Sequence, residues 1–319
     1  MVLEYREDST KGVLTVVSTE RGKRPSVAGK GARKVCPFCP GSESMVPPAV
    51  FESEGNKGWS ARAFPNKFAI VRLPAVGERI ACVEGDFGHS FGSGVHEVIV
   101  ETRAHNRLFQ DFTDSEAMHC LEVYKNRFRE LGELKGVESV FLFKNHGGKA
   151  GASVEHEHAQ IIALPFVPPI LAEEARFVKK TLRQGRCWFC RNDEYLERHK
   201  GLELAETKHF VAFCPPFGRF PFESWIVAKR HVRSFLEFTP EEDNELMKLL
   251  RRVVRAVHDV ASEDYVILFH NGFKGGEMHF HVEIAPRPNV WGGLELGTGI
   301  IVNSVAGEEG VKKLRKAMK

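Results

Sequence analysis

The sequence predicts an α+β protein built from two related halves, with antiparallel sheets and helices packed on them. Three observations carry that expectation. A Cys-x-x-Cys pair occurs twice, at Cys36/Cys39 and at Cys187/Cys190. Behind each pair a strand-like segment ends on a histidine, His96 to His105 and Phe222 to His231, with Glu97 and Glu223 at the same spacing from it. Each is followed by a capping-box helix start (Thr113 with Glu116, Thr239 with Glu242), a strand, an Asn-containing glycine loop and a His-x-His pair. Order and spacing recur together, which marks an internal duplication. The reading divides the chain into a first half at 1–163, a linker at 164–186 and a second half at 187–319.

Composition narrows the class. The 319 residues are 42% hydrophobic and 27% charged, as in a globular protein, and the net charge of +3 gives no argument for nucleic acid as a partner. No apolar run approaches the roughly 20 residues that a membrane helix needs. Met1 to Arg24 is mixed and polar, so no secretory leader is expected and the cytoplasm is the expected location. Four of the seven cysteines sit in the two pairs. In a reducing compartment such pairs point to metal before disulfide, with a reactive dithiol as the alternative.

Taken in order, Leu14–Val17 reads as a short strand. Arg21 and Arg24 follow in a turn that, read alone, is a solvated one. Two thiolates three positions apart, Cys36 and Cys39, can bind one tetrahedral metal and need two further ligands. His105, at the end of a strand, and His156, at the start of one, are assigned. By the repeat, Cys187, Cys190, His231 and His279 form a second set. Cys82, Cys120 and Cys214 have no such context and read as core. A helix is expected at about 114–135, its apolar stripe formed by Met118, Leu121, Tyr124 and Phe128, with His119 an ordinary surface residue. Further helices are expected ending near Gly185, at about 240–260 and at about 307–318. Strands are expected at Val140–Phe143 and Tyr265–Phe269.

The chemistry concentrates between Phe143 and Gln160. Glycines at 147, 148 and 151 allow backbone to approach a bulky anion. In a strand, His156, His158 and Gln160 share one face, while Glu155, Glu157 and Ala159 take the other. Imidazole is nucleophilic at neutral pH and can carry a phosphoryl group, and an adjacent amide can donate to a phosphoryl oxygen. The second half has His281 where His158 stands but Glu283 in place of Gln160. A carboxylate there would repel phosphate, so a second active site is not expected.

Asn145, Gly147, Gly151, Ser153, His156, His158 and Gln160 together resemble the active-site segment of the galactose-1-phosphate uridylyltransferases, a branch of the histidine triad superfamily. The resemblance runs over about 12–303 and implies two histidine-triad-like halves, a homodimer and two structural zinc sites with the ligand sets named above. It implies that His158 is the nucleophile that takes the nucleotidyl group and that Gln160, helped by Asn145 and Ser153, binds the phosphoryl oxygens. It also brings Arg21 and Arg24, from an Arg-x-x-Arg-Pro ahead of the first Cys pair, toward substrate. Asn66 becomes a nucleotide contact and Glu295 a sugar contact, and Lys149 offsets phosphoryl charge. The implied reaction moves a nucleotidyl group between sugar 1-phosphates, as UDP-glucose:galactose-1-phosphate uridylyltransferase does in galactose metabolism. Leu294 departs from the aromatic usual before that Glu. Glu295-Leu296-Gly297-Thr298-Gly299 and the second Cys pair resemble instead the plant-type ADP-glucose phosphorylase branch, so an adenylyltransferase is the alternative. A histidine triad hydrolase is disfavoured by Gln160, where another His is usual. A zinc-ribbon nucleic-acid module is disfavoured by the long separation of His105 from Cys36.

Overall fold

The computed structural model describes residues 2–8, 10–11, 13–23, 35–73, 89–199 and 201–319. Arg24 and Cys82 lie outside the described residues. A small sheet is formed by β1 (Leu3–Asp8), β2 (Val13–Ser18) and β5 (His89–Phe91). The first half contributes β3 (Phe51–Gly55), β4 (Gly58–Pro65), β6 (Val95–Val100), β7 (Ser139–His146) and β8 (His158–Leu164), with helix α1 (Asp114–Glu133) between β6 and β7. After α2 (Pro169–Arg183) and α3 (Asn192–Arg198) come β9 (Glu203–Glu206), β10 (Phe210–Phe213) and β11 (Ser224–Ala228). Helix α4 (Pro240–Val260), β12 (Tyr265–His270), β13 (His281–Pro286), α5 (Gly293–Thr298) and α6 (Gly307–Ala317) complete the chain.

The larger sheet has ten strands in the order β3-β4-β6-β8-β7-β12-β13-β11-β10-β9, and every neighbouring pair is antiparallel. Read from its two edges inward, this order is the same five-strand pattern twice. The expected α+β class and duplication are therefore present, and the two sheets meet edge to edge in one. The seam is the β7–β12 pair, in register from Tyr265↔His146 to Phe269↔Leu142.

Both long helices start where the sequence places them, each with a complete capping box. They pack on the same sheet face. Leu121, Tyr124 and Phe128 of α1 and Leu246, Leu250 and Val253 of α4 meet alternate strand residues such as Ile99, Leu142, Ile161, Ile267, Val282 and Ile284. Burying each such side chain contributes about 1.5–3 kcal/mol, so this face holds the core. Fully buried Ala61 and Ala63 on β4 leave room for α1. The residues between those core positions point to the opposite face.

Two local expectations change. The segment expected as a strand from His96 to His105 leaves the sheet after Val100. Likewise β8 begins at His158, so His156 precedes the strand and only His158 and Gln160 of the expected three lie in its row. The cause is local: the His156 carbonyl bonds the His158 ring and not a neighbouring strand. The matched spacing of Glu97 and Glu223 also hides a one-residue slip. β6 pairs Val98 with Gln160, whereas β11 pairs Trp225 with Glu283. The two glutamates thus face opposite sides of the sheet. Glu97 meets Arg127 of α1 at 2.8 Å, and Glu223 binds Arg219 at 3.2 Å.

Candidate active site and metal centres

The first Cys-His group is assembled by two chain segments that leave their strands. Cys39 Sγ lies 3.4 Å from His105 Nδ1, and His156 Nδ1 lies 3.7 and 3.6 Å from Cys36 and Cys39 Sγ. A tetrahedral zinc with Zn–S of about 2.3 Å and Zn–N of about 2.0 Å has S···N edges of about 3.5 Å. The second group repeats this: Cys187 and Cys190 Sγ stand 3.6 and 3.5 Å from His279 Nδ1, Cys190 stands 3.5 Å from His231 Nδ1, and the two Nδ1 atoms are 3.3 Å apart. In both groups the four donor atoms lie within 4.8 Å of one another. His156 Nε2–H donates to the Thr102 carbonyl at 2.7 Å, and His279 Nε2–H donates to that of Ala228 at 2.7 Å. A carbonyl only accepts, so in each neutral ring the lone pair is on Nδ1, the atom facing the thiols. Both sets therefore fit a tetrahedral metal.

His158 sits at the start of β8 on the sheet face opposite the helices. Its Nδ1–H donates to the His156 carbonyl at 2.9 Å. That bond puts the lone pair of the neutral ring on Nε2, the tautomer a nucleophile needs. Phe38, from the Cys36–Cys39 knuckle, meets the His158 ring edge-on at 5.3 Å.

Gln160 follows on the same face. Its Oε1 is 3.0 Å from His96 Nε2. His96 Nδ1 accepts the Ile70 amide at 3.2 Å, which leaves the ring proton on Nε2, pointing at Gln160. With its oxygen so engaged, Gln160 turns its NH₂ donors away from His96. His96 was missed in the sequence; its place two residues before Val98, which pairs with Gln160, was the available signal. His96 also holds Asn66, whose backbone N–H donates to its carbonyl at 2.8 Å. Arg21 joins this corner by donating to the Phe68 carbonyl at 3.1 Å, so it is not a solvated-turn residue.

Asn145 on β7 shares the His158 face, being two residues beyond Phe143, which pairs with Gln160. Gly151 packs against it: a Cβ there would stand 3.7 Å from Asn145 Nδ2. Ser153 is half-buried in the turn before His156, and Lys149 is exposed on the glycine loop. Glu295 accepts the Gly292 amide at 3.0 Å and so caps its own short helix.

Beneath His158, on the helix side, lies a charged group that the sequence did not reveal. Lys144, 1% exposed, pairs with both Glu101 and Glu157. Burial opposes the Lys144 charge, yet the two carboxylates push its pKa above the usual lysine range. Burial likewise opposes the Glu157 charge, but Lys144 and His146 hold it down at about 2.

In the second half, His281 keeps the ring bond of His158, Nδ1–H to the His279 carbonyl at 3.0 Å. The surroundings differ. Glu283 pairs with Arg219 and lies 3.5 Å from His270, whose Nδ1 bonds Glu174 at 2.8 Å. Glu174 lies in the stretch read as a linker, which is why its grouping with buried His270, His281 and Glu283 escaped sequence reasoning. Cys120 and Cys214 are buried, as expected of core thiols.

A duplicated sheet with a ring-anchored His-x-His in each half defines a histidine triad protein, and residues 200–288 match the HIT domain family. Residues 80–167 match the family described as Domain of unknown function (DUF4931) N-terminal domain. Galactose-1-phosphate uridylyltransferase of Thermotoga maritima is 30% identical over 333 residues, covering 99% of this chain and 98% of that protein. ADP-glucose phosphorylase of Arabidopsis thaliana is 27% identical, covering 98% of this chain and 92% of that one. The crystal structure of an Arabidopsis thaliana ADP-glucose phosphorylase with bound ADP-glucose matches with a TM-score of 0.78 at 26% identity, covering 98% of each chain. The chain belongs to the galactose-1-phosphate uridylyltransferase-like family of the histidine triad superfamily.

Proposed function

We propose that this protein transfers a nucleoside monophosphate between sugar 1-phosphates through a nucleotidyl-His158 intermediate. The observation that carries this reading is the His158 Nδ1–H bond to the His156 carbonyl, which leaves the ring's lone pair on Nε2. In the first step Nε2 attacks the α-phosphorus of a nucleotide sugar. The N–P bond forms, the bridging P–O bond breaks, and its electron pair leaves with the sugar 1-phosphate. The ring gains positive charge, which the His156 carbonyl stabilises through the retained Nδ1 proton. In the second step a phosphate oxygen of the acceptor attacks the same phosphorus and the N–P bond breaks, so no net proton transfer is needed.

The Gln160 amide donates to the phosphoryl oxygens, with Asn145 and Ser153 beside it. Arg21, Arg24 and Lys149 offset charge, Asn66 contacts the nucleotide and Glu295 the sugar. Zinc at the two Cys-His groups would cross-link segments of the scaffold and take no part in the transfer. We assign a homodimer, and uridylyl transfer from UDP-glucose to galactose 1-phosphate, from the family. Adenylyl transfer from ADP-glucose is a second reading, favoured by the second Cys-His group and the Glu295–Gly299 segment.

Incubation with UDP-glucose and with ADP-glucose, each labelled in the α-phosphate, tests both. Acid-labile, base-stable label on His158 from one of them is the expected result and names the base. Label on neither overturns the covalent mechanism.

A further inference from the structure

The second half has a ring-anchored histidine but no counterpart of Gln160, which leaves open what it does beyond completing the sheet. The β7–β12 seam pairs Tyr265 with His146, so the next position in register sets Asp264 against Gly147. Asp264 Oδ1 accepts the Lys149 amide at 2.9 Å. Gly147 has φ +82, and a Cβ on it would stand 2.2 Å from Asp264 Oδ1, so the glycine is what allows the carboxylate under the loop. Asp264 is itself fixed. Its amide donates to Ser262 Oγ at 3.1 Å, and its carbonyl accepts the Arg287 amide at 2.8 Å. A second contact is independent of the first: Ala150 at the loop's apex is buried against Phe220, Val266 and Ala285, all from the second half.

We infer that the second half is the platform that shapes the glycine loop of the first, with Asp264 as the positioning residue that sets Lys149 and the turn to Ser153. The inference rests on the nucleotidyltransferase reading for its consequence but not for its geometry. The loop crosses between β7 and β8 without a ladder of its own. Its internal bonds include two turn contacts, Gly151 N–H to the Gly148 carbonyl and Ala152 N–H to that of Gly147, at 3.1 and 3.0 Å. An amide bonded to a carboxylate is stronger than a neutral pair, so one residue of the second half can select the loop's conformation.

The test uses the full-length protein and two readouts, hydrogen exchange over 147–153 and the half-saturating concentration of whichever nucleotide sugar labels the enzyme. Asp264→Ala should speed exchange at the Lys149 amide and raise the half-saturating concentration about tenfold, the effect of losing one charge-assisted bond, with the saturated rate changed little. Asp264→Asn keeps an acceptor oxygen without the charge and should restore part of both. Gly147→Ala displaces the same contact from the loop side and should act in the same direction, which covers a failure of the Asp264 variants to fold. Unchanged exchange in Asp264→Ala, or an Asn variant as impaired as the Ala variant, overturns the inference. Exchange that responds as expected in a protein that takes no label would uphold the platform and overturn the nucleotidyltransferase reading.

Discussion

The two halves hold the same apparatus around their His-x-His pairs and differ in what stands beside it. Each has a Cys-x-x-Cys knuckle, a first histidine tied by Nε2–H to a carbonyl at 2.7 Å, and a second tied by Nδ1–H at 2.9 or 3.0 Å. These shared features therefore do not by themselves single out one half. Three of the differences bear on the proposed transfer. Gln160 is replaced by Glu283, which is already paired with Arg219. Phe38 meets His158 edge-on at 64°, whereas Phe189 lies flat over His281 at 4.7 Å and 23°. The glycine loop of the first half rests on the second, through Asp264 and the pocket around Ala150. A correctly held imidazole is thus not enough; the neighbouring donor and the loop distinguish the half proposed to be active.

The largest expected effect breaks the symmetry outright. His158→Ala should abolish label uptake, a loss of at least about a thousandfold, while His281→Ala should leave labelling of the folded fraction near wild type. Gln160→Glu should act like the first, because an ionised carboxylate cannot donate to phosphoryl oxygens. Glu283→Gln alone should not create a second labelled histidine. Label on His281 in any of these proteins would reverse the assignment of the halves.

The metal groups should behave alike. Elemental analysis should find about two zinc ions per chain, with Cys36→Ser and Cys187→Ser each lowering the count by one. The buried charges should not behave alike. Lys144 corresponds in register to Phe269, an apolar residue: Lys144 pairs with Ala159 and Phe269 with Val282. Lys144→Met would leave Glu101 and Glu157 buried without their cation and should cost about 3–5 kcal/mol in a urea titration. Phe269→Leu should cost less, about 1 kcal/mol. Equal losses would mean that the charges under β8 count only as volume.

Much of this was legible in the sequence because local chemistry leaves local marks. Thr113/Glu116 and Thr239/Glu242 announced their helices, and the twice-repeated Cys-x-x-Cys and His-x-His announced the duplication. The four residues of each Cys-His group were readable because the same Cys-x-x-Cys and His pattern occurs twice. What stayed hidden depends on register and on contacts across the sheet. Neither His96 under Gln160 nor Asp264 under Gly147 has a motif of its own. Glu97 and Glu223 kept the same sequence spacing but landed on opposite faces, since a slip of one residue is invisible to counting. Glu174 lay in a segment read as a linker, yet its carboxylate reaches His270.

That contact gives the halves different pH behaviour. Burial disfavours the charged His270 ring, but Glu283 and Glu174 outweigh it and raise its pKa to about 10. A raised pKa contributes stability that is fully present below the unfolded value of about 6.5 and lost as pH rises through the folded value. Stability should therefore fall between about pH 7 and 10, and His270→Gln should flatten that fall. The register-equivalent residue of the first half, Asn145, does not titrate in this range. A slope unchanged in His270→Gln would place its origin elsewhere.

The smallest effect tests whether the duplicated helices are still equivalent. Thr113 Oγ1 accepts the Glu116 amide at 3.2 Å and Thr239 Oγ1 accepts that of Glu242 at 3.3 Å, with the return bonds at 2.7 and 2.8 Å. The caps themselves are nearly identical, so Thr113→Ala and Thr239→Ala should each cost about 1 kcal/mol. The glutamates behind them are not identical. Glu116 is half-buried and takes one bond from Arg107, at 2.9 Å, whereas buried Glu242 takes two from Arg230, at 2.6 and 3.0 Å. Glu242→Ala should therefore cost more than Glu116→Ala, by the second charge-assisted bond. Urea midpoints of the four variants separate the two contributions. Unequal threonine variants with equal glutamate variants would put the divergence of the halves in the caps and not in the arginines that brace them.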